Sequence, residues 1–279
     1  MPPRFLIVAS ETPSQRDERR KRSGAASDES YAETLRAIRP DIEFRHVSCV
    51  DDPGSEPPFD ASDIDAVFFA GSPIQMHAQT PETRSAAAFM TRIMEAGLLV
   101  FGSCAGLQIA TVAAGGRVRP RGPMMEAAFS RGIVATKDGA GHPLLEGRPL
   151  TWDALTMHSD EVESLPANAL LLASSNTTPV QAVEIRLGEG VFWGVQYHPE
   201  LSLAEIASSL RGQADDLEEQ GLARDEGSVA AYAERIETLS VAPGRRDLAW
   251  QLGVGDEVVD DVRRTNELRN FIRMSGFSC

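Results

Sequence analysis

Phe101-Gly102-Ser103-Cys104-Ala105-Gly106-Leu107-Gln108 joins two different periodicities. Before it, Leu98-Leu99-Val100-Phe101 is a short continuous apolar run, the pattern of a buried strand. After it, Leu107 to Ala114 follows a helical pattern that Gly115-Gly116 stops. A cysteine therefore stands on a strand-to-helix turn, with a glycine two residues away on each side. Such a turn has no room for bulky substituents beside its central residue, and Gly102 and Gly106 supply the clearance and backbone freedom. The helix that follows aims its first amides and positive dipole end at the sulfur, which favours thiolate over thiol. This is the setting of an activated nucleophile.

Outward from this turn, strands are expected at Phe5 to Ala9, Ile42 to Val47, Ala66 to Ala70 and Leu98 to Phe101, with helices at Glu29 to Ile38 and Glu82 to Ala96. The alternation predicts an α/β fold, an open, mostly parallel sheet flanked by helices on both faces. Gly132 to Thr136, Leu170 to Ser174 and Val180 to Ile185 read as shorter strands of a partly antiparallel extension. Reactive groups in such sheets collect at the carboxyl ends of strands, and Gly71, Cys104 and His198 each follow closely on an expected strand. After Glu200 the character changes, because Ser202-Leu203-Ala204-Glu205 is a capping box. A catalytic domain is expected over 1–201 and a helical extension over 202–279. The extension should hold helices from Ser202 toward Gln220, from Ser228 to Leu239 and from Asp256 to Met274, which pack back on the domain or offer a surface to a partner subunit, with Trp250 and Phe271 as the anchors of either.

A cysteine nucleophile needs a base. Phe192-Trp193-Gly194-Val195-Gln196-Tyr197 reads as a strand that Pro199 ends, and an extended backbone would turn His198 and Glu200, two apart, to the same side. His198 can then take the thiol proton while Glu200 holds the imidazole in the required tautomer.

Net charge and cysteine usage limit the partners. A formal charge of −14 over 279 residues leaves no electrostatic footprint for nucleic acid or an anionic membrane. The one basic run, Arg16-Asp17-Glu18-Arg19-Arg20-Lys21-Arg22, is interrupted by acids and reads as a solvated loop or helix start. Three cysteines argue against a disulfide framework and for a reducing, cytoplasmic setting, with Cys49 a small core residue. No run approaches the roughly 20 apolar residues of a membrane span. The five histidines form no cluster at metal spacing, and neither phosphate-loop nor dinucleotide glycine motifs occur, so neither metal nor cofactor is expected.

Gly102-Ser103-Cys104-Ala105-Gly106-Leu107-Gln108 and Tyr197-His198-Pro199-Glu200 together resemble the nucleophile elbow and histidine partner of the class I glutamine amidotransferases. Val67-Phe68-Phe69-Ala70-Gly71-Ser72-Pro73 is similar to the strand and glycine-rich oxyanion loop of that family. The resemblance spans about residues 4 to 201, and Met157-His158-Ser159-Asp160-Glu161-Val162 is similar to members related to the glutaminase part of GMP synthetase. It implies a flavodoxin-like α/β fold and a Cys104, His198, Glu200 triad. The backbone amides of Gly71 and Ala105 would form the oxyanion hole, and Gln108, Ser159 and Asp160 would contact substrate. Ala105 departs from the larger residue that relatives frequently carry there, which changes how the pocket is walled.

The implied activity is hydrolysis of the glutamine side-chain amide through a γ-glutamyl thioester, with ammonia passed to an acceptor on a synthetase partner or a second copy. A γ-glutamyl hydrolase acting on a γ-glutamyl amide or peptide is the alternative. A third reading keeps the fold without catalysis and binds a partner through the helical tail, but an intact triad argues against it.

Overall fold

A computed structural model describes residues 2–122 and 124–279. The strands are β1 (Arg4–Ala9), β2 (Glu43–Ser48), β3 (Ala66–Phe69), β4 (Leu99–Ser103), β5 (Arg117–Pro120), β6 (Glu126–Ala135), β7 (Thr151–His158), β8 (Asp160–Ser164), β9 (Ala169–Ser174), β10 (Ala182–Leu187) and β11 (Gly190–Val195). The α-helices are α1 (Pro13–Ser23), α2 (Ser27–Ile38), α3 (Pro81–Glu95), α4 (Ala105–Ala113), α5 (Leu203–Gly212), α6 (Ala214–Glu219), α7 (Glu226–Val241), α8 (Arg246–Leu252), α9 (Asp256–Val259), α10 (Asp261–Arg264) and α11 (Asn266–Met274).

Nine strands form one sheet in the order β2-β1-β3-β4-β11-β10-β9-β6-β7, and β5 pairs with β8 separately. From β2 through β11 the pairings are parallel; from β11 to β7 they are antiparallel. This is the mostly parallel α/β sheet with an antiparallel extension that the sequence predicts. β3 is Ala66-Val67-Phe68-Phe69, buried at every position, as a central strand covered on both faces must be. Its neighbour β4 pairs in turn with β11, bringing Ser103 and Val195 into register at their carboxyl ends, so the loops after β3, β4 and β11 meet at one edge.

Each face has its own core. On one, Phe5, Phe68, Phe101 and Trp193 pack with Tyr31 and Leu35 of α2 and with Leu268, Phe271 and Ile272 of α11. On the other, Phe69, Val100 and Phe192 pack with Phe89, Met90 and Ile93 of α3 and with Leu107 and Ile109 of α4. A third cluster joins Phe129 and Leu155 of the antiparallel strands to Ile206, Leu210, Ile236, Leu239 and Val258 of the C-terminal helices.

Several helical expectations need correction. Residues 202–220 form two helices, α5 and α6, and 256–274 form three. The carboxylate of Asp260 accepts the amide of Arg263 and restarts the chain as α10. α8 was not anticipated. Phe271 is fully buried, but Trp250 is 79% exposed and anchors nothing within the chain. The basic run is a full helix, α1, opened by a capping box at Thr12 with Pro13 in its first turn. It buries no residue completely, so it lacks the apolar stripe by which helices are recognised. Cys49 sits in the core at 1% exposure, where burial pushes its thiol up to about 12. Among the described residues no helix is long and apolar enough to cross a membrane.

Candidate active site

Cys104 caps α4 with φ 51° and ψ −104°, a conformation non-glycine residues avoid. Its amide donates to the carbonyl of Val195 at 2.8 Å, pinning the elbow to the end of β11. The two flanking glycines are required sterically. A Cβ on Gly102 would stand 2.9 Å from both the Gly106 backbone and the Phe192 ring, and one on Gly106 would stand 2.9 Å from the Phe69 carbonyl. The Cys104 sulfur is 3.8 Å from the carbonyl of Met157.

β11 stops at Val195, two residues earlier than the expected strand. The turn at Pro199 and Glu200, and not an extended backbone, then brings His198 and Glu200 together. His198 Nδ1 lies 2.7 Å from Glu200 Oε1, both side chains being buried. The His198 amide donates to the carbonyl of Leu155 at 2.8 Å, fixing this loop to β7. Burial alone would lower the imidazole's affinity for protons. The carboxylate of Glu200, with the sulfur of Cys104, outweighs it and raises His198 to about 10, which favours the protonated ring. Gly71 abuts the same ring, and a Cβ there would stand 2.7 Å from His198 Cε1. Ala105 opens α4, so its backbone amide belongs to the first turn, where amides lack helical partners. Buried without a protein partner behind the pair are Glu200 Oε2 and the hydroxyls of Tyr31 and Ser103.

The expected substrate residues lie in the same cavity of about 450 Å³ as Cys104 and His198. Gln108 is buried and donates through Nε2 to the carbonyl of Asp160 at 3.1 Å and to Gln196 Oε1 at 3.3 Å, which braces the elbow. Asp160 is buried and its carboxylate meets His77 Nδ1 at 2.6 Å, whereas Ser159 is exposed. His158 contacts the Asp160 carbonyl at 2.8 Å and Glu126 at 2.9 Å. Against the cost of burial, His158 holds the Glu126 carboxyl down to about 2.

The cavity also takes in residues that the motifs did not indicate: Arg19 and Arg22 of α1, Ser209 of α5, Gln213 and Asp216. The available signal was the spacing of Arg16, Arg19 and Arg22, three apart on one helical face. Among the described residues no group of three or more histidine, cysteine or acidic side chains is arranged to hold a metal ion.

With this elbow, histidine and carboxylate at the carboxyl edge of a mostly parallel sheet, the chain belongs to the class I glutamine amidotransferases, whose family model matches residues 26–211. It is an enzyme of the amidohydrolase kind. It is 35% identical over 225 residues to a γ-glutamyl-L-1-hydroxyisopropylamide hydrolase of a Pseudomonas species, covering 78% of this chain and 74% of that one. It is 31% identical over 156 residues to one subunit of the glutamine-hydrolysing GMP synthase of Ignicoccus hospitalis, covering 56% of this chain and 77% of that one. Of longer GMP synthases it spans only 20 to 26%. Among solved structures, a glutamine amidotransferase of Thermotoga maritima superimposes with a TM-score of 0.61 at 17% identity, over 93% of this chain and 99% of that one. That similarity speaks to the fold.

Proposed function

We propose that the protein hydrolyses γ-glutamyl amides through a Cys104, His198, Glu200 triad, and the observation that carries this is that His198, hydrogen-bonded to Glu200, lines the same cavity as Cys104. Cys104 Sγ attacks the γ-carbonyl carbon, forming a C–S bond while the carbonyl oxygen becomes an oxyanion. The amides of Gly71 and Ala105 are the donors proposed to face it. As the C–N bond breaks, His198 gives its proton to the leaving nitrogen. Water then attacks the γ-glutamyl thioester, His198 takes the water proton, and glutamate leaves as the thiolate is restored. Glu200 orients the ring throughout.

Gln108 holds the elbow against Asp160, and Ser159 and Asp160 are proposed to meet the amino-acid end of the glutamyl group. A substituted γ-glutamyl amide is the substrate favoured here. The Pseudomonas relative, matched over most of both chains, is named for one, and a cavity of about 450 Å³ lies within the roughly 300–1,000 Å³ of sites that take ligands larger than one amino acid. Glutamine itself, with ammonia passed to a synthetase partner or a second copy, is the second reading, favoured by the match to the Ignicoccus GMP synthase.

In this reading residues 1–201 carry the catalysis and 202–279 form the helical extension, working in the cytoplasm, a setting suited to three free thiols. The test is to supply the purified protein with glutamine and with γ-glutamyl amides and to measure glutamate, ammonia and amine. Glutamate formation that Cys104→Ala abolishes is expected. No glutamate from any of them would overturn the reading.

A further inference from the structure

Glu126 and His158 face each other across β6 and β7 and are both buried, yet no step of the hydrolysis uses either. The Glu126 carboxylate is fully engaged. Its Oε1 accepts the hydroxyls of Ser130 at 3.2 Å and Thr177 at 2.7 Å. Its Oε2 accepts the hydroxyl of Thr178 at 3.1 Å and faces His158 Nε2 at 2.9 Å. The other ring nitrogen, Nδ1, faces the carbonyl of Asp160 at 2.8 Å. A carboxylate and a carbonyl only accept, so the ring donates from both nitrogens. His158 borders the cavity that holds Cys104, but no polar atom of its ring is left to meet a substrate.

What the ring does hold is the Asp160 carbonyl, where separate parts of the site join. That oxygen accepts from His158 and, at 3.1 Å, from Nε2 of Gln108, one turn along α4 from the nucleophile. The carboxylate of the same residue meets His77, in the loop that follows β3, at 2.6 Å. β7 ends at His158 and β8 begins at Asp160, so the contact sets the turn between them. Just before that turn, the Met157 carbonyl lies 3.8 Å from the Cys104 sulfur. A buried ion pair is a poor source of stability, since apolar residues of similar volume often do as well or better. Beside the nucleophile it supplies geometry instead.

We propose that His158, anchored by Glu126, is a positioning residue that acts through the Asp160 carbonyl to set the pocket for the glutamyl half of the substrate. This deepens the γ-glutamyl hydrolase reading above and rests on it, since Ser159 and Asp160 are the groups proposed there to meet the amino-acid end.

The test separates the two nitrogens of the imidazole. In His158→Asn the short amide reaches the place of Nδ1 and still donates to the Asp160 carbonyl; in His158→Gln the longer amide reaches the place of Nε2 and serves Glu126 instead. Glutamine and γ-glutamylmethylamide share the glutamyl half. For both, His158→Gln should raise KM about tenfold, the size of one strong hydrogen bond, with the smaller effect on kcat. His158→Asn should recover most of that loss. Labelling of Cys104 by a chloroketone analogue of glutamine should slow in His158→Gln, while labelling by iodoacetamide, which carries no glutamyl group, should not. A role in the fold alone would slow both labels together and make Asn, which leaves Glu126 without its partner, the worse variant. An unchanged KM in a folded His158→Gln, equal losses in the two variants, or a parallel fall of the two labelling rates overturns the positioning role alone. Where thermal melting shows that His158→Gln does not fold, Gln108→Met, which removes the other donor to the same carbonyl, takes its place, and an unchanged KM there also overturns it. Release of glutamate from neither substrate by the wild type overturns the γ-glutamyl hydrolase reading itself, and the positioning role with it.

Discussion

A methyl group on residue 71 would stand 2.7 Å from His198 Cε1 and 3.2 Å from Nδ1, so Gly71→Ala must displace the imidazole or the loop that carries the amide proposed to face the oxyanion. Either shift separates groups that act together. A fall in kcat of about a hundredfold is expected, the cost of roughly 1 Å of misplacement, with the melting temperature little changed; unchanged kcat would show that the loop does not face the reaction. Cys104→Ala should remove about 10⁶ of the rate, and a glutamine-analogue electrophile should mark Cys104 of the wild type by mass spectrometry, not Cys49 or Cys279. His198 adds a pH dependence whose sign is fixed. Its pKa rises from 6.5 to about 10 on folding, despite the opposing effect of burial, through Glu200 and Cys104. The folded state thus holds the proton more tightly than the unfolded one. The stability this contributes is fully present below pH 6.5 and is lost as pH rises through about 10. Urea midpoints should fall more over that interval for the wild type than for His198→Gln, and parallel curves would refute the shift.

α11 is the element that ties the far end of the chain to the proposed triad. Its Glu267 is fully buried, accepts the Tyr197 hydroxyl at 2.9 Å next to His198, and pairs with the buried Arg148 at 2.7 Å. Removing Glu267 leaves Arg148 with Glu257 alone, at 2.5 Å, and takes away the acceptor of the Tyr197 hydroxyl. Glu267→Ala is accordingly expected to cost about 1–3 kcal/mol in chemical denaturation, whereas Trp250→Ala, at an exposed position, should stay within about 0.5 kcal/mol. The contrast between these residues also explains what the sequence discloses. Cys104, His198 and Glu200 are legible because each stands in a short motif at a strand end, and the central strands because their apolar runs are uninterrupted. The wall of the cavity is not legible in that way. It comes from α1, which has no buried face, and from α5 and α6, some 190 residues later in the chain. Only tertiary packing brings Arg22 against Gly212. The break at Asp260 is hidden for a related reason, since a side-chain cap within a helical pattern leaves the apolar spacing intact.

On the scale of the molecule, the C-terminal helices close two of the three cores. α11 supplies Leu268, Phe271 and Ile272 to the face built on Phe68 and Phe101, and α7 supplies Val229, Ala233, Ile236 and Leu239 to the cluster built on Phe129 and Leu155. If these helices served only to dock a synthetase or a second copy, a chain ending at Gly227 would stay folded, hydrolyse its substrate and lose an assembly. The packing argues for the opposite outcome. Each large apolar side chain uncovered costs about 1.5–3 kcal/mol, and Phe5, Phe68, Phe101, Trp193, Phe129 and Leu155 would all lose covering surface against a total stability of about 5–15 kcal/mol. The Tyr197 hydroxyl would lose Glu267 as well. The truncated chain should therefore show no cooperative thermal transition, scatter light as aggregate and release no glutamate. A melting curve like that of the full chain, with a monomeric light-scattering mass and retained hydrolysis, would show that α7 to α11 are dispensable to the fold and would return them to the role of a docking surface.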